Sequence, residues 1–382
     1  MKKIISALLS LTMLAGILVG CGVQAADVQE ESTNEMSAAV TQDAAMKTPK
    51  YVFLFIGDGM SYPQIQSTAD YLGALQDEDY WQAQPSLDDN AGAILDGPEY
   101  LNFMNFEAAG SAVTYDSNSF APDSASTATS IATGKKTYSG SINVDETGTK
   151  EYETIAEKLH EQKDYSVGVI TSVNLNHATP AAFYAHQASR NDYYEIGLEL
   201  IDSGFEYFAG GGLLSPDGGE GDQENLYDLA EQAGYQVVNT QAAAEAITED
   251  DDKVIVIDEH LADSDAMAYE LDRTDDMWSL ADYVEKGVEV LSDDKDGFFL
   301  MCEGGKIDWA CHANDAASTI HDTVALADAV QVAIDFAEEH PNDTLILVTG
   351  DHETGGLTIG FAGTDYDTYL DLLANQKISF AK

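Results

Sequence analysis

Short runs of continuously apolar residues, rich in β-branched and aromatic side chains, recur from position 51 onward and alternate with longer helical patterns. A strand that is apolar at every position is buried on both faces, as in a parallel sheet that helices cover on both sides. The sequence therefore predicts an α/β fold with a mostly parallel central sheet and helices on both faces. The predicted strands are Tyr51–Ile56, Ser166–Ile170, Val254–Ile257, Gly297–Met301 and Thr344–Val348, and the predicted helices include Thr154–Gln162, Asn225–Ala233, Ser279–Leu291 and Asp315–Glu339.

The first 21 residues have the pattern of a bacterial lipoprotein signal peptide. Lys2 and Lys3 precede an apolar run that leads to Leu-Val-Gly-Cys21, and this run is too short for a comfortable membrane span. The small residues before Cys21 resemble a lipobox, in which the cysteine is acylated and becomes the mature N-terminus. Soluble export with cleavage after Ala25 or Ala26 is the alternative.

Residues 22–50 are rich in Ala, Ser, Thr, Gln and Glu and have no apolar periodicity. This composition predicts a flexible tether in front of a domain that covers residues 51–382. We therefore expect an exported protein, a cell-surface or periplasmic lipoprotein that meets the membrane through its N-terminal lipid anchor only, or alternatively a secreted one.

The charge balance excludes one class of partner. The chain has 68 Asp and Glu residues against 17 Lys and Arg residues, which gives a formal net charge of −51. Such a field repels phosphate backbones, so nucleic-acid binding by bulk charge is excluded. Three cysteines, none of them in a CxxC pair, do not make a disulfide framework.

Carboxylates and imidazoles follow several of the predicted strands. In parallel sheets, ligands bind beyond the carboxyl ends of the strands. Each acidic residue alone could equally cap the helix that follows it, but the coincidence at several strands favours a site at one edge of the sheet. The residues are Asp58 after the first strand, His177 and Thr179 after the second, Glu303 after the fourth, and Asp351 and His352 after the fifth.

A second group lies just beyond Glu303. If a helix begins near Asp308, then Asp308 and His312 stand at i and i+4 on one face and can share a metal ion. Asp and His ligands with further carboxylates favour zinc together with magnesium over a thiolate site. Cys311 would point off that face and is expected, like Cys302, to be a small buried residue.

Ser124 heads a run of small and hydroxyl residues and is the candidate nucleophile. Asp123 or Ser124 could be an ordinary helix N-cap. A hydroxyl at a helix N-terminus also faces free backbone N–H groups that suit an arriving phosphate, and a nearby metal would lower its pKa. The sequence contains neither a Gly-x-Ser-x-Gly elbow nor a Walker A loop.

The chain contains only two arginines, Arg190 and Arg273. A planar guanidinium holds two phosphate oxygens at once, which makes Arg190 a candidate phosphate ligand, with a surface salt bridge as its alternative. For Arg273 we expect the salt bridge.

Six motifs together resemble bacterial alkaline phosphatases over roughly residues 50–360. They are FIGDGM around Asp58, Asp123-Ser124-Ala125 with the downstream TGKKT, His177-Ala-Thr179-Pro, Ser189-Arg190, Glu303 through His312, and Asp351-His352-Glu-Thr-Gly-Gly. The resemblance implies an alkaline-phosphatase-like fold and an exported, metal-dependent phosphomonoesterase that converts phosphate monoesters to an alcohol and inorganic phosphate. The family is often dimeric, so a homodimer is an expectation from the resemblance alone.

The resemblance also implies two zinc ions and one magnesium ion. Asp308 and His312 match ligands of the first zinc, and Asp58, Asp351 and His352 match ligands of the second, which also holds Ser124. Asp58 would bridge to the magnesium, with Thr179 and Glu303 completing that site. His177 stands where some members carry Asp, and Trp309 stands where some carry Lys or His, so both are expected to tune the third metal and the phosphate environment, to which Asp123 also belongs. Lys306 is expected to be only a surface residue.

The resemblance also implies a mechanism. Ser124 would attack the phosphorus of a monoester in line and form a phosphoserine intermediate, which water would then cleave.

The family carries a further histidine ligand of the first zinc after the Asp-His motif, whereas this sequence has no histidine after His352. We therefore expect a copy that lacks its C-terminal part, with an under-ligated first zinc and weak or absent activity.

Two alternatives stay open on the sequence. One is a phosphodiesterase of the same superfamily, and the other is a non-catalytic metal- or phosphate-binding surface lipoprotein. A sulfatase is excluded because the sequence has no C/S-x-P-x-R motif, and an acidic structural lipoprotein would need repeats that the sequence lacks.

Overall fold

The computed structural model describes residues 48–80, 94–360, 363–364 and 366–382. The predicted signal peptide, Cys21 and the tether up to residue 47 lie outside the described residues. The last residue of the predicted tether, Lys50, belongs to the folded part, because its N–H donates a 2.7 Å hydrogen bond to the carbonyl of Asp343.

Within the described residues, seven strands form one sheet in the order β4-β5-β3-β2-β6-β1-β7. Every neighbouring pair is parallel, so the expectation of a mostly parallel sheet is confirmed. The strands are β1 (Tyr51–Gly57), β2 (Ser166–Asn174), β3 (Tyr207–Gly211), β4 (Gln236–Val238), β5 (Val254–Ile257), β6 (Phe298–Gly304) and β7 (Thr344–Gly350).

The helices connect successive strands and pack on both faces of the sheet, as the fold class predicts. They are α1 (Tyr62–Gln76), α2 (Ser124–Thr133), α3 (Ile155–Lys163), α4 (Ala178–Ala181), α5 (Tyr193–Ser203), α6 (Leu226–Gln232), α7 (Gln241–Glu245), α8 (Leu280–Leu291), α9 (Lys306–His312) and α10 (Ala316–Glu339). Short 3₁₀ helices cover Asn102–Asn105, Asp263–Asp265, Glu270–Asp272 and Leu370–Asn375. Within the described residues, no helix combines the length and the apolar character that crossing a membrane requires.

Two apolar layers explain why the strands read as continuous apolar runs. Val52, Leu54 and Ile56 of β1 pack into the core on one face, and Phe53 and Phe55 pack into the core on the other. Because successive side chains of a strand point to opposite faces, both faces must be apolar when both are covered.

The register of the sheet brings the ends of three strands to one level. Gly57 at the end of β1 pairs with Gly304 of β6 on one side and with Gly350 of β7 on the other. The residues that follow these strands therefore meet at one edge of the sheet, which is where the sequence predicts the site.

Candidate active site

The hydroxyl of Ser124 lies between a carboxylate and an imidazole. Ser124 Oγ donates a 3.2 Å hydrogen bond to Asp58 Oδ1 and is 3.3 Å from His352 Nε2. Ser124 is the first residue of α2, and the side chain of Asp123 is its N-cap. The capping interpretation is therefore right for Asp123, and it leaves the Ser124 hydroxyl at the positive end of the helix dipole.

Asp351 is fixed beside this pair by neutral donors. Its Oδ1 accepts the N–H of Gly59 at 3.0 Å, and its Oδ2 accepts the hydroxyl of Thr127 at 2.9 Å. The ligand atoms of Asp58, Asp351 and His352 all lie within 4.8 Å of one another. One metal ion can therefore contact all three.

The predicted i and i+4 pair is present on α9. His312 Nε2 lies 3.4 Å from Asp308 Oδ2, with the Asp308 side chain only 7% exposed and that of His312 71% exposed. Thr354 Oγ1 donates a 2.6 Å hydrogen bond to Asp308 Oδ1 and is 3.1 Å from His352 Nδ1. A single hydroxyl thus connects this pair to the group around Ser124. Cys311 is buried and away from the pair, as expected.

A third group lies deeper, under Asp58. Thr171 Oγ1 donates a hydrogen bond to one carboxylate oxygen of the buried Glu303. Among the described residues, Glu303 Oε1, Thr179 Oγ1 and Asp58 Oδ2 are buried oxygens that have no hydrogen-bond partner. Buried oxygens normally have a hydrogen-bond partner. These three oxygens have none, and oxygen ligands of this kind are those that a hard cation prefers.

Among the described residues, Arg190 is the one arginine in the wall of the cavity around Ser124. Arg190 Nη1 donates a 2.9 Å hydrogen bond to Asp123 Oδ2, and its Nη2 lies 3.4 Å from His177 Nε2. The His177 ring meets the Trp309 ring edge to face at a centroid distance of 5.9 Å.

These groups line one open cavity of about 480 Å³. Its wall includes Ser124, His177, Arg190, Asp308, Trp309, His312 and His352. Of the predicted residues, Asp58, Asp351, Glu303 and Thr179 lie beneath this surface and are buried. The structure therefore brings all of the predicted site residues from position 58 onward to one edge of the sheet.

The electrostatics of the group are those of a cation site. Burial, with Asp351 and Asp308 nearby, raises the pKa of Asp58 well above its usual range. Burial also raises the pKa of Glu303, to about 7. Burial lowers the pKa of His352, but Asp351 and Asp58 more than offset it and bring the value to about 10. The crowded carboxylates thus favour positive charge at this point, which a divalent cation supplies.

Two other groups of the wall, His177 and Asp123, have lowered pKa values. Burial and the charge of Arg190 lower the pKa of His177 to about 3, so its imidazole is neutral. Burial raises the pKa of Asp123, but the hydrogen bond from the Gly140 N–H and the Arg190 charge outweigh it, and the pKa is lowered overall. The Asp123 carboxylate therefore remains ionised and holds the guanidinium in place.

The expectation that Lys306 is a surface residue is wrong. Its side chain is fully buried, and its Nζ donates a 2.7 Å hydrogen bond to Asp263 Oδ1. It is the first residue of α9, whose N-terminal residues are buried, whereas His312 at the end of the same helix is exposed. Arg273 has the expected ion pair, with Glu270 at 2.8 Å.

Sequence reasoning missed the neutral groups that orient the ligands. Thr127, Thr171 and Thr354 each donate to one predicted metal ligand. A signal existed for Thr127, which lies one helical turn after Ser124 on the same face. Thr354 lies inside the Asp351-His352-Glu-Thr-Gly-Gly motif, and its position there carried no assigned role.

An all-parallel sheet covered by helices, with a serine hydroxyl among buried carboxylates and histidines at its edge, is the arrangement of a metal-dependent hydrolase. The comparisons agree. The alkaline phosphatase family model matches residues 49–380. Alkaline phosphatase 4 of Bacillus subtilis is 32% identical over 359 residues, which are 92% of this chain and 69% of the relative.

Solved structures give the same result. A cold-active alkaline phosphatase from the psychrophile Shewanella sp. superposes with a TM-score of 0.68 at 31% identity, over 86% of this chain and 74% of the other. A mutant of the TAB5 alkaline phosphatase with Mg bound in its M3 site superposes with a TM-score of 0.66 at 30% identity, over 81% and 80%. The chain belongs to the alkaline phosphatase family, which makes it a metal-dependent phosphatase.

Proposed function

We propose that this chain hydrolyses phosphate monoesters with Ser124 as nucleophile, through a phosphoserine intermediate. The observation that carries the proposal is the position of Ser124 Oγ, 3.2 Å from Asp58 Oδ1 and 3.3 Å from His352 Nε2 at the N-terminus of α2. A hydroxyl in this position is exposed to the cavity yet surrounded by groups that take up its proton or its charge.

Three metal ions fit the side chains, two of them Zn²⁺ and one Mg²⁺. Asp58, Asp351 and His352 would hold one Zn²⁺, and Asp308 with His312 would supply two ligands to the other. The unpaired oxygens of Asp58, Glu303 and Thr179 suit Mg²⁺, a hard cation that prefers oxygen ligands, with the neutral His177 beside them. Bound Zn²⁺ would supply the Lewis acidity that lowers the pKa of the Ser124 hydroxyl and stabilises charge on the leaving oxygen.

His352 is oriented for this role by its other nitrogen. Nδ1 is 3.1 Å from the carbonyl of Glu353 and 3.1 Å from Thr354 Oγ1, whose own proton goes to Asp308. Both neighbours act as acceptors, so Nδ1 carries a proton. Without metal, the raised pKa keeps a proton on Nε2 as well, and a bound Zn²⁺ would replace that proton and use the Nε2 lone pair, which faces Ser124 and the carboxylates.

Arg190 would bind two oxygens of the phosphate. Its guanidinium is held from behind by the ionised Asp123, which leaves the remaining N–H groups toward the cavity. In the first step, the Ser124 hydroxyl gives its proton to water and Oγ forms a bond to phosphorus, while the bond to the alcohol oxygen breaks and the departing oxygen takes a proton from water. In the second step, the oxygen of a water molecule bonds to phosphorus while the bond between Oγ and phosphorus breaks. One proton of that water returns to Ser124, and phosphate is released.

Ser124→Ala tests the proposal. We expect it to retain bound Zn²⁺ and Mg²⁺ and to lose phosphate release by roughly 10³-fold or more, because the residual rate without a nucleophile is that of binding and charge stabilisation alone. Ser130→Ala is the matched control, since Ser130 lies on the same helix and only donates to the carbonyl of Ser126. If Ser124→Ala released phosphate from a monoester like the wild type, the proposal would be wrong.

Substrate choice separates this function from its nearest alternative. Turnover of a phosphate monoester should exceed that of the matching diester, and quenching with acid during turnover of a ³²P-labelled monoester should leave label on Ser124. Faster diester turnover would instead establish the diesterase, and metal and phosphate binding without any turnover would establish a non-catalytic binding protein.

We also propose that the protein is exported and anchored by a lipid on Cys21, and that it forms a homodimer. The support for the anchor is the apolar run and the lipobox-like residues before Cys21, and the support for the dimer is the resemblance to a family whose members are often dimeric. Cys21→Ser should move the protein from the membrane fraction to the soluble fraction, and an unchanged membrane fraction would refute the anchor. Analytical ultracentrifugation of the soluble form tests the dimer.

A further inference from the structure

Lys306 is a buried cation that the proposed chemistry does not use. Its Nζ is 4.2 Å from the centre of the Tyr269 ring and 4.4 Å from the centre of the Trp309 ring, and it donates to Asp263 Oδ1 at 2.7 Å. An ammonium over an aromatic face is attracted by the quadrupole of the ring, and more strongly when water is excluded. Lys306 therefore links two rings and one carboxylate.

Trp309 carries this contact to the wall of the cavity. Its ring is half-buried, lines the cavity and meets the His177 ring at an interplanar angle of 77°. His177 Nε2 in turn lies 3.4 Å from Arg190 Nη2. A continuous series of contacts thus runs from Lys306 through Trp309 and His177 to the Arg190 guanidinium, which lines the cavity.

We propose that Lys306 is a positioning residue for phosphate binding, because its ammonium fixes the Trp309 ring against His177 and so sets the direction of Arg190. The inference rests on the proposed function in one respect, since it takes the cavity to be the phosphate site. It predicts an effect on phosphate affinity and on the order of the Trp309 ring, with little effect on the chemical step.

A purely structural role is the competing explanation. Buried ion pairs such as Lys306–Asp263 often serve folding alone, and removing one partner destabilises the protein in any case. The chain offers a matched control in Lys286 of α8, which is also buried and donates to the Ile247 carbonyl at 2.9 Å and to Glu289 at 2.6 Å. Lys286 does not line the cavity.

The test compares Lys306→Met, Lys306→Arg and Lys286→Met in the metal-loaded full chain. With para-nitrophenyl phosphate as substrate, Lys306→Met should raise KM and the inhibition constant of inorganic phosphate by about three- to tenfold, with kcat changed by less than about twofold. Lys306→Arg, which keeps the cation, should recover most of this loss. Lys286→Met should lower stability and leave both constants unchanged.

The order of the indole ring gives a second readout that needs no turnover. The fluorescence of Trp309 is obtained by subtracting the spectrum of Trp309→Phe in each background. Its quenching by acrylamide should increase in Lys306→Met and stay at the wild-type level in Lys286→Met.

The proposal is overturned if Lys306→Met matches Lys286→Met in KM, phosphate inhibition and quenching, or if Lys306→Arg gives no recovery. Should Lys306→Met fail to fold, Asp263→Asn weakens the same contact from the opposite side, and it must shift the constants in the same direction. If the wild type shows no turnover, the proposed function fails, whereas calorimetric binding of inorganic phosphate and Trp309 quenching still decide the role of Lys306.

Discussion

Thr354 and Asp308 are joined by a 2.6 Å hydrogen bond in which the threonine hydroxyl donates to the carboxylate. The same hydroxyl is 3.1 Å from His352 Nδ1, so it orients one proposed ligand of each zinc ion. Groups that orient metal ligands contribute to affinity although they never contact the metal.

Thr354→Val keeps the shape of the side chain and removes both contacts. We expect Zn²⁺ affinity to fall by about 10- to 100-fold, as is typical when an orienting partner of a ligand is lost. Competition with a zinc-binding dye measures this affinity. Thr323→Val is the control, because the Thr323 hydroxyl is equally buried but donates only to the Thr319 carbonyl of its own helix. Equal zinc affinities of the two variants would contradict the prediction.

Asp58→Asn should have effects of opposite sign with and without metal. Without metal, Asp58 is a buried carboxylate whose pKa is raised by burial and by Asp351, so its neutral replacement should raise the free energy of unfolding by about 1 kcal/mol. With metal bound, the same change removes a ligand and should lower stability, because a ligand that binds the folded state stabilises it. Thermal unfolding with and without EDTA measures both.

Asp116 supplies the control for that sign change. It is also a buried aspartate, but its carboxylate accepts hydrogen bonds from the N–H groups of Asn118 and Ser119 and from the hydroxyls of Ser126 and Ser139. Asp116→Asn should therefore destabilise the protein equally with and without EDTA. A destabilising effect of Asp58→Asn in EDTA would show that its carboxylate is compensated without a metal.

Gly59 is required at its position for two separate reasons. Its φ of +66° is disfavoured for other residues, and a Cβ there would lie 2.7 Å from Asp308 Oδ1 and 2.8 Å from Thr354 Oγ1. Gly134 has nearly the same φ, +70°, but a Cβ there would meet nothing within 4 Å.

Alanine variants of Gly59 and Gly134 separate the cost of the backbone conformation from the cost of a steric clash. Gly134→Ala should lose about 1 to 2 kcal/mol of stability from the backbone conformation alone and keep its metal. Gly59→Ala should lose more stability and also bind less zinc, since Asp308 must move. Metal analysis and urea unfolding of both variants measure the difference, and equal losses would argue against the close contact.

The sequence predicted the covered parallel sheet because burial on both faces leaves a direct mark, a run that is apolar at every position. It missed β3 and β4, which carry weaker marks. β3 ends in Gly210-Gly211, and β4 has only three residues at the edge of the sheet, so neither produces a long apolar run in the sequence. Predicted helix starts were one residue early wherever the first residue, such as Thr154 or Ser279, is the N-cap.

The site residues likewise differ in how far the sequence alone indicates their position. Asp58 and Asp351 could be identified because each directly follows a strand and the register of a parallel sheet brings strand ends together. Lys306 could not, because a lysine two positions before a ligand gives no sign of which way it points. Tyr269 and Asp263, which contact its ammonium group, come from another part of the chain.

A salt bridge away from the site gives a prediction for pH. His160 Nε2 lies 3.2 Å from Glu206 Oε1, and this contact raises the pKa of His160 above its usual 6.5 although burial opposes it. A raised pKa means that the folded state favours the protonated form. The stabilisation is therefore complete below about pH 6.5 and is lost as the pH rises through the pKa of His160 in the folded state.

His160→Gln keeps a hydrogen-bond donor but carries no charge, so its destabilisation should be larger at pH 5.5 than at pH 9. In a Glu206→Gln background this pH dependence should disappear, and urea unfolding of the four proteins at both pH values provides the measurement. A loss that is equal at both pH values, or larger at pH 9, would show that the charge of His160 does not contribute to stability.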